Sequence, residues 1–171
     1  MVLTLEPSRA AQFPLSLRVP AWCSQFTVTV NGQSWQGKPD EYLVIDRTWQ
    51  RSNQVEINMD MSVQVLPGGK SYPKSVAIQR GPQILAFDTT LNKADMNLAG
   101  LKSTDLMNIK LREDAKHLPK GWVGNQAYAL NGVLWNQEAV KEQKELILVP
   151  YSDASQKEGD TRVWLIKDIG N

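Results

Sequence analysis

The chain has 171 residues, 42% of them hydrophobic and 22% charged, which is typical of a globular protein and excludes a disordered one. Its net charge of +1, from nineteen Lys and Arg against eighteen Asp and Glu, excludes attraction of nucleic acid or an acidic membrane by charge alone. One cysteine and one histidine exclude an internal disulfide and a Cys-rich or His-paired metal site, and neither a membrane helix nor a secretory signal is predicted.

The first 66 residues show the alternation of apolar and polar side chains that predicts half-buried β-strands. The clearest run covers residues 26–30 and is followed at once by Asn31-Gly32. That dipeptide favours a type I′ hairpin turn, because both of its residues tolerate a positive φ. No helical period of 3.6 residues occurs in this region, so it is predicted to be all-β, with further strands at 15–19, 42–45 and 55–65.

Residues 67–74 are rich in Pro and Gly and form the best candidate for a linker or a long turn. Beyond them, Arg80-Gly81-Pro82 must be a turn or a bulge, because Pro82 cannot donate a ladder hydrogen bond. A loop-rich middle over about 89–125 precedes a hairpin predicted at Asn131-Gly132. Many short strands with turn signals between them predict an antiparallel β-sandwich architecture, Ig-like or jelly-roll-like, in two small packed sandwiches spanning 1–68 and 72–171.

Residues able to carry catalysis or to hold a metal are scattered along the sequence. The segment 68–71 (Gly-Gly-Lys-Ser) lacks the earlier glycine and the following helix of a phosphate-binding loop. Cys23 and His117 have no partner pattern around them, which favours a half-buried small residue and a solvated loop histidine. The acidic residues lie in polar stretches, whereas a glycosidase needs two carboxyl groups made unequal by their surroundings. The sequence therefore predicts no catalytic residue, metal site or cofactor within the chain.

Tryptophan is the residue type that points to binding. Of the six tryptophans, Trp22 and Trp164 lie in or beside strand patterns, where packing is favoured. Trp35 and Trp122 are predicted on loops, and Trp135 lies near the second Asn-Gly pair. Because an exposed aromatic ring can stack on the apolar face of a sugar, these last three are candidate carbohydrate-binding residues, with core or interface packing as the alternative.

Several short sequence elements occur in a fixed order. They are Leu-Ser-Leu-Arg-Val-Pro-Ala-Trp at 15–22, Val-Asn-Gly at 30–32, Ile-Asp-Arg-Thr-Trp at 45–49, Met-Asp-Met at 59–61 and Ile-Gln-Arg-Gly-Pro at 78–82. This series resembles the C-terminal β region of glycoside hydrolase family 127, the β-L-arabinofuranosidase-like enzymes once known only as a domain of unknown function. Segments 146–151 and 162–165 resemble the last two strands of that family. The chain departs from the pattern at 49–53 (Trp-Gln-Arg-Ser-Asn), where the family has a Trp-x-x-Gly-Asp turn, and at 59–61, where the family has Leu-Pro-Met. It also has Ser152, Asp153 and Ser155 where the family often has an aromatic residue and Asn-Arg.

The resemblance implies that the chemistry lies outside this chain. In that family a separate (α/α)₆ barrel carries a cysteine nucleophile and a glutamate beside a cysteine-bound zinc. Cys23 directly follows the Leu-Arg-x-Pro-x-Trp element and is not part of the paired-cysteine motif, so no catalytic role passes to it. The chain is then expected to be an accessory module whose partner is the barrel. Zinc is expected only in the barrel. The first sandwich is expected to lack strands that a parent enzyme supplies.

Three hypotheses of function follow. The leading one is a non-catalytic accessory module that packs against the barrel, stabilises it and shapes the rim of its active site. The second is a carbohydrate-binding sandwich that takes a plant-wall glycan on its tryptophans, and the third is an Ig-like interaction domain. No nucleic-acid or membrane partner is predicted. The glycan, the oligomeric state and the localisation stay open, as does the question whether 1–68 and 72–171 form two sandwiches or one continuous body.

Overall fold

The computed structural model describes residues 1–92, 98–102, 106, 109–135 and 141–168, and these residues confirm the all-β fold class. The chain divides into two compact units, Met1–Ser62 and Val63–Asn171. The sequence places this division at 69–71, whereas in the structure Val63–Pro67 pairs with Ser75–Arg80 and belongs to the second unit. Residues 68–74 are therefore the long turn of a hairpin, closed by a hydrogen bond from the Gly68 N–H to the Ser75 carbonyl over 2.9 Å.

The first unit is built from two antiparallel sheets, as in a small sandwich. Its strands are β1 (Val2–Leu5), β2 (Ala11–Arg18), β3 (Phe26–Val30), β4 (Gln33–Gly37), β5 (Tyr42–Trp49) and β6 (Asn53–Met59). One sheet has the order β1-β6-β3-β4, and the other pairs β2 with β5. The predicted Asn31-Gly32 hairpin joins β3 to β4, with φ values of 51° and 80° as a type I′ turn requires.

The core of the first unit gathers the alternate, inward-facing residues of both sheets. Trp49 is fully buried at the end of β5, where its Nε1 donates a hydrogen bond to the Phe13 carbonyl over 2.9 Å. Burial of apolar surface, at about 25 cal/mol per Å², is the main stabilising contribution to such a core. The buried members of this cluster are Val19, Cys23, Phe26, Val28, Val30, Ile45, Trp49, Val55 and Ile57.

Among the described residues, the second unit contains the remaining strands and a short helix. The strands are β7 (Val63–Pro67), β8 (Ser75–Arg80), β9 (Gln83–Asp88), β10 (Leu98–Lys102), β11 (Arg112–Glu113), β12 (Tyr128–Trp135), β13 (Lys141–Pro150), β14 (Thr161–Arg162) and β15 (Leu165–Asp168). Helix α1 covers Thr89–Asn92, and 3₁₀ turns cover Ala115–His117 and Tyr151–Asp153. Within the described residues no helix is long and apolar enough to cross a bilayer.

The sheet of the second unit closes on itself. Its order is β14-β9-β13-β12-β10-β15-β8-β7, and β8 pairs in addition with β9. Strand β8 pairs with β15 through residues 75–76 and with β9 through residues 78–80, so the two layers of the sandwich share this strand. All pairings are antiparallel except that of β10 with β15. The enclosed core contains Val76, Ile78, Leu85, Phe87, Leu101, Tyr128, Leu130, Leu134, Leu146, Leu148 and Leu165.

The predicted hairpin at Asn131-Gly132 is wrong. Strand β12 runs straight through both residues, and they pair with Glu145 and Lys144 of β13. A Cβ at Gly132 would lie 2.6 Å from Leu146 Cγ and 2.9 Å from the Gly100 carbonyl oxygen. The glycine therefore allows a close approach of neighbouring strands inside a sheet, and it does not form a turn.

The buried side chain of Asn92 ties the end of helix α1 to β13. Its Oδ1 accepts a hydrogen bond from the Ile147 N–H over 2.8 Å, and its Nδ2 donates to the Ile147 carbonyl over 2.9 Å. The amide thus occupies the place of a strand neighbour and satisfies two backbone groups of β13 that would otherwise be buried without a partner.

Candidate functional site

Trp35, predicted on a loop, lies in strand β4. The Asn31-Gly32 turn is a two-residue loop, so β4 begins at Gln33, two residues before the tryptophan. Trp35 pairs with the fully buried Val28 and packs, partly buried, against the core of the first unit. Its indole is therefore on the core side of a strand at the end of the sheet order.

Trp122 lies on a loop, as predicted, and this loop is anchored. The side chain of Gln156 accepts a hydrogen bond from the Val123 N–H and donates one to the Val123 carbonyl, each over 2.7 Å. The backbone N–H of Trp122 donates a hydrogen bond to the Pro119 carbonyl over 3.0 Å. The half-buried indole packs against Leu91, Ala127, Ala129, Ile147 and Val149, and its Nε1 is buried with no hydrogen-bond partner among the described residues.

Trp135 ends strand β12, and its backbone pairs with Leu98 and Lys141. Its side chain lies outside the described residues. Trp35 belongs to the first unit, whereas Trp122 and Trp135 belong to the second, so the three candidates are not part of one unit. Their role in carbohydrate binding stays a prediction.

A polar cleft of about 230 Å³ opens in the second unit where strand β12 begins. It combines one carboxylate, two amides and the edge of a buried phenol with a small apolar surface from two alanines. Its lining residues are Glu113, Ala115, Asn125, Gln126, Ala127 and Tyr128.

The polar groups of this cleft are held by partners on the β8–β9 hairpin. The guanidinium of Arg80 lies 3.5 Å from the Glu113 carboxylate and 5.1 Å from the centre of the Tyr128 ring. Gln83 Nε2 donates a hydrogen bond to Gln126 Oε1 over 2.5 Å, and the Tyr128 hydroxyl lies 3.4 Å from Gln83 Oε1. Burial raises the pKa of the Tyr128 phenol, so the cleft keeps a neutral hydroxyl at physiological pH.

Arg112 and Asp114, which flank the cleft residue Glu113 in the sequence, belong to a cluster of charged side chains. Arg112 contacts both Asp114, over 2.9 Å, and Glu145, over 2.7 Å. The Asp114 carboxylate is fully buried, and its backbone N–H donates to the Ala127 carbonyl over 2.8 Å. The hydrogen bond that Arg112 donates to the Glu145 carboxylate is the main cause that raises the pKa of Arg112, so this guanidinium stays charged and holds β11 to β13.

Sequence reasoning missed this cleft. It did identify the turn of Gly81-Pro82, and the structure confirms a two-residue loop there, with Gly81 at a φ of 55°. The partners that Arg80 and Gln83 meet lie 33 and 43 residues further along the chain, and no local pattern marks them. Only the pairing of β11, β12, β13 and β9 brings these side chains together.

Cys23 and His117 are the remaining residues that sequence analysis weighed for catalysis. Cys23 is fully buried, and its Sγ donates a hydrogen bond to the Gln25 carbonyl over 3.1 Å. His117 ends a 3₁₀ turn, and its side chain lies outside the described residues. In the part of the chain that the structure describes, no group of three or more His, Cys, Asp and Glu side chains could hold a metal ion.

Comparison with known proteins gives one family match. Residues 1–61 match the family model described as the β-L-arabinofuranosidase GH127 middle domain. This part of the chain is related to the GH127 middle domain. The resemblance to glycoside hydrolase family 127 is thereby confirmed over the first unit. No curated protein matches the chain.

Solved structures of GH127 enzymes share the fold of the chain along nearly its whole length. A GH127 β-L-arabinofuranosidase from Geobacillus stearothermophilus T6 is 23% identical with a TM-score of 0.80, covering 98% of this chain and 28% of its own. A structure titled glycoside hydrolase is 24% identical with a TM-score of 0.73, covering 97% and 30%. A further GH127 β-arabinofuranosidase is 23% identical with a TM-score of 0.73, covering 98% and 30%. The chain thus spans less than a third of the length of these structures.

Proposed function

We propose that the chain is a non-catalytic accessory region of a GH127 glycoside hydrolase, which packs against the catalytic barrel, stabilises it and shapes the rim of its active site. The observation that carries the proposal is a likeness along 98% of the chain to less than a third of a GH127 β-L-arabinofuranosidase. The family match at residues 1–61 supports it. Catalysis, and the zinc that the family implies, then belong to the barrel.

The two-stranded sheet of the first unit supports docking of the barrel. Tyr42 and Val44 are 64% and 54% exposed on the face of β5 that points away from the core. Within the described pairings β2 and β5 bond only to each other, so each leaves one edge open. Two exposed apolar side chains beside open strand edges favour association, and a catalytic barrel of the same enzyme would cover them.

Two variants of equal charge test this docking face. Val44→Glu places a carboxylate on it, whereas Gln36→Glu places one on the exposed face of β4 in the other sheet of the same unit. Binding of each variant to a separately produced GH127 barrel is measured by calorimetry. Val44→Glu is expected to weaken binding at least about tenfold, which corresponds to about 1.4 kcal/mol, and Gln36→Glu to bind like the unmodified chain. Equal weakening by both variants, or no binding by the unmodified chain, contradicts the proposal.

A second candidate function is binding of a plant-wall glycan by tryptophan. The anchored loop of Trp122 favours it, because a half-buried indole held by a fixed backbone loses little entropy when a sugar stacks on it. The test is a tryptophan-fluorescence titration against arabinose-containing oligosaccharides, with Trp35→Ala, Trp122→Ala and Trp135→Ala as variants. Saturable binding that a variant abolishes supports this function, and binding that survives all three removes it.

A further inference from the structure

The cleft at the start of β12 has the size of a site for one small molecule. Its volume of about 230 Å³ is below the roughly 300–1,000 Å³ of pockets that enclose drug-sized ligands. This volume suits a single ring with its substituents, bound in a cleft that is open to solvent. The alanines at 115 and 127 leave this space open, because neither side chain extends beyond Cβ.

The lining of the cleft matches a ligand whose groups both donate and accept hydrogen bonds. Asn125 and Gln126 each provide an amide, which offers an acceptor oxygen and a donor nitrogen, and the Glu113 carboxylate accepts. A hydroxyl group is the complementary partner, because it donates one hydrogen bond and accepts others. An anionic ligand would meet the carboxylate of Glu113, and the guanidinium of Arg80 is already paired with that carboxylate. A neutral polyhydroxylated ring fits this arrangement.

Two of these polar groups, Gln126 and Glu113, have partners on the β8–β9 hairpin before any ligand arrives. Gln83 donates a hydrogen bond to the Gln126 amide, and Arg80, which also lies over the Tyr128 ring, pairs with the exposed carboxylate of Glu113. Arg80 ends β8 and Gln83 begins β9, and the two residues pair across a two-residue loop. Ladder hydrogen bonds therefore set their backbone positions. Side chains that already have such partners lose less conformational entropy when a ligand binds. Less of the free energy of their hydrogen bonds to a sugar is then offset by ordering.

We propose that this cleft binds one saccharide ring, whose hydroxyl groups are held by Asn125, Gln126 and Glu113. The choice of a saccharide over other neutral polyols rests on the proposed function in a glycoside hydrolase. No tryptophan is among the residues that line this cleft, and all of its lining residues belong to the second unit. With this site the chain would bind a sugar in addition to its proposed role of stabilising the catalytic barrel.

The proposal is tested by nuclear magnetic resonance on the ¹⁵N-labelled full chain. Methyl β-L-arabinofuranoside, methyl β-D-xyloside and methyl β-D-glucoside are the probes, and backbone amide shifts report where each one binds. Saturable shifts are expected at residues 113–115 and 125–128 for at least one probe. Glu113→Gln and Gln126→Ala are each expected to weaken that binding about tenfold, the usual effect of one lost hydrogen bond to a fixed ligand.

Gln36→Ala is the matched control, because Gln36 also lines a surface cleft, in the first unit, and is exposed. It is expected to leave sugar binding unchanged, and dispersed amide spectra confirm that each variant is folded. The absence of saturable shifts at the cleft with all three probes overturns the proposal. So do shifts that Trp122→Ala removes and Gln126→Ala does not, which assign binding to the tryptophan. Neither result affects docking to the barrel, which depends on Val44 and is measured separately.

Discussion

The backbone N–H of Gln50 donates a hydrogen bond to Oδ1 of Asn53 over 2.6 Å and closes the turn between β5 and β6. Between them Ser52 has a φ of 61°, in the left-handed region that disfavours any residue with a Cβ. This is the position at which family 127 carries glycine in its Trp-x-x-Gly-Asp turn. The side chain of Asn53 supplies the acceptor that the aspartate of the family pattern also offers.

Ser52→Gly is therefore expected to stabilise the first unit. Relief of the left-handed strain is worth about 1 kcal/mol, and the greater freedom of glycine in the unfolded chain offsets part of it, which leaves a gain of about 0.5 kcal/mol. Urea unfolding followed by tryptophan fluorescence measures the difference. Arg51→Gly is the control, because Arg51 lies one residue earlier and does not have a positive φ. This change should lower stability. A destabilised Ser52→Gly variant would contradict this reading of the turn.

Asn92→Ala is expected to destabilise the second unit by about 2–4 kcal/mol. The change removes two hydrogen bonds to Ile147 and leaves a buried N–H and a buried carbonyl without these partners. Asn125→Ala removes the same side chain from an exposed position and should change the free energy of unfolding by less than about 0.5 kcal/mol. Equal stabilities of the two variants in urea unfolding would show that the Asn92 amide does not act as a strand neighbour.

Gly132→Ala is expected to lower stability by about 1–3 kcal/mol, because the new methyl group meets Leu146 and the Gly100 carbonyl. Shortening Leu146 to Ala creates space at the same place, so the two changes should be less than additive. A double-mutant cycle in urea measures this coupling. Strict additivity would mean that the close approach of β12 to its neighbours is not the reason why residue 132 must be glycine.

The two Asn-Gly pairs indicate how far the fold could be predicted from sequence. At 31–32 the dipeptide lies between two alternating strands and makes the predicted turn, because every signal that decides it is local. At 131–132 the same dipeptide continues a strand, because its surroundings are Leu146 and Gly100, which lie far away in sequence. A turn decided by neighbouring residues could therefore be predicted, whereas the structure at a dipeptide decided by distant strands could not.

The same distinction explains the outcome for the candidate site. Tryptophans are visible in a sequence, and Trp122 was correctly placed on a loop, but the packing of Trp35 against Val28 depends on the exact start of β4. The cleft depends on residues that no spacing connects, since Gln83 and Gln126 meet across 43 positions. The family resemblance could be predicted because it rests on short elements in order, and the match at residues 1–61 confirms it.

The Asp60 carboxyl is expected to titrate below the ordinary value of 3.8. A hydrogen bond from the Ser24 hydroxyl, over 2.5 Å, is the main cause that lowers the pKa of Asp60, followed by that from Ser62. A lowered folded pKa means that the carboxylate contributes stability above about pH 4, which is lost as the pH falls through the folded pKa. Carbon chemical shifts during an acid titration give the pKa. Ser24→Ala should move it upward, and an unchanged value would remove Ser24 as the cause.

The most direct measurement of the central claim is the thermal unfolding of a GH127 catalytic barrel with and without this chain, together with hydrolysis of a chromogenic arabinofuranoside by each component. The account predicts that the unfolding midpoint of the barrel rises and saturates at one chain per barrel, as binding to the folded state alone requires. It also predicts that the chain by itself gives no turnover above buffer. Turnover by the isolated chain, or a barrel midpoint that the chain leaves unchanged, would contradict the account.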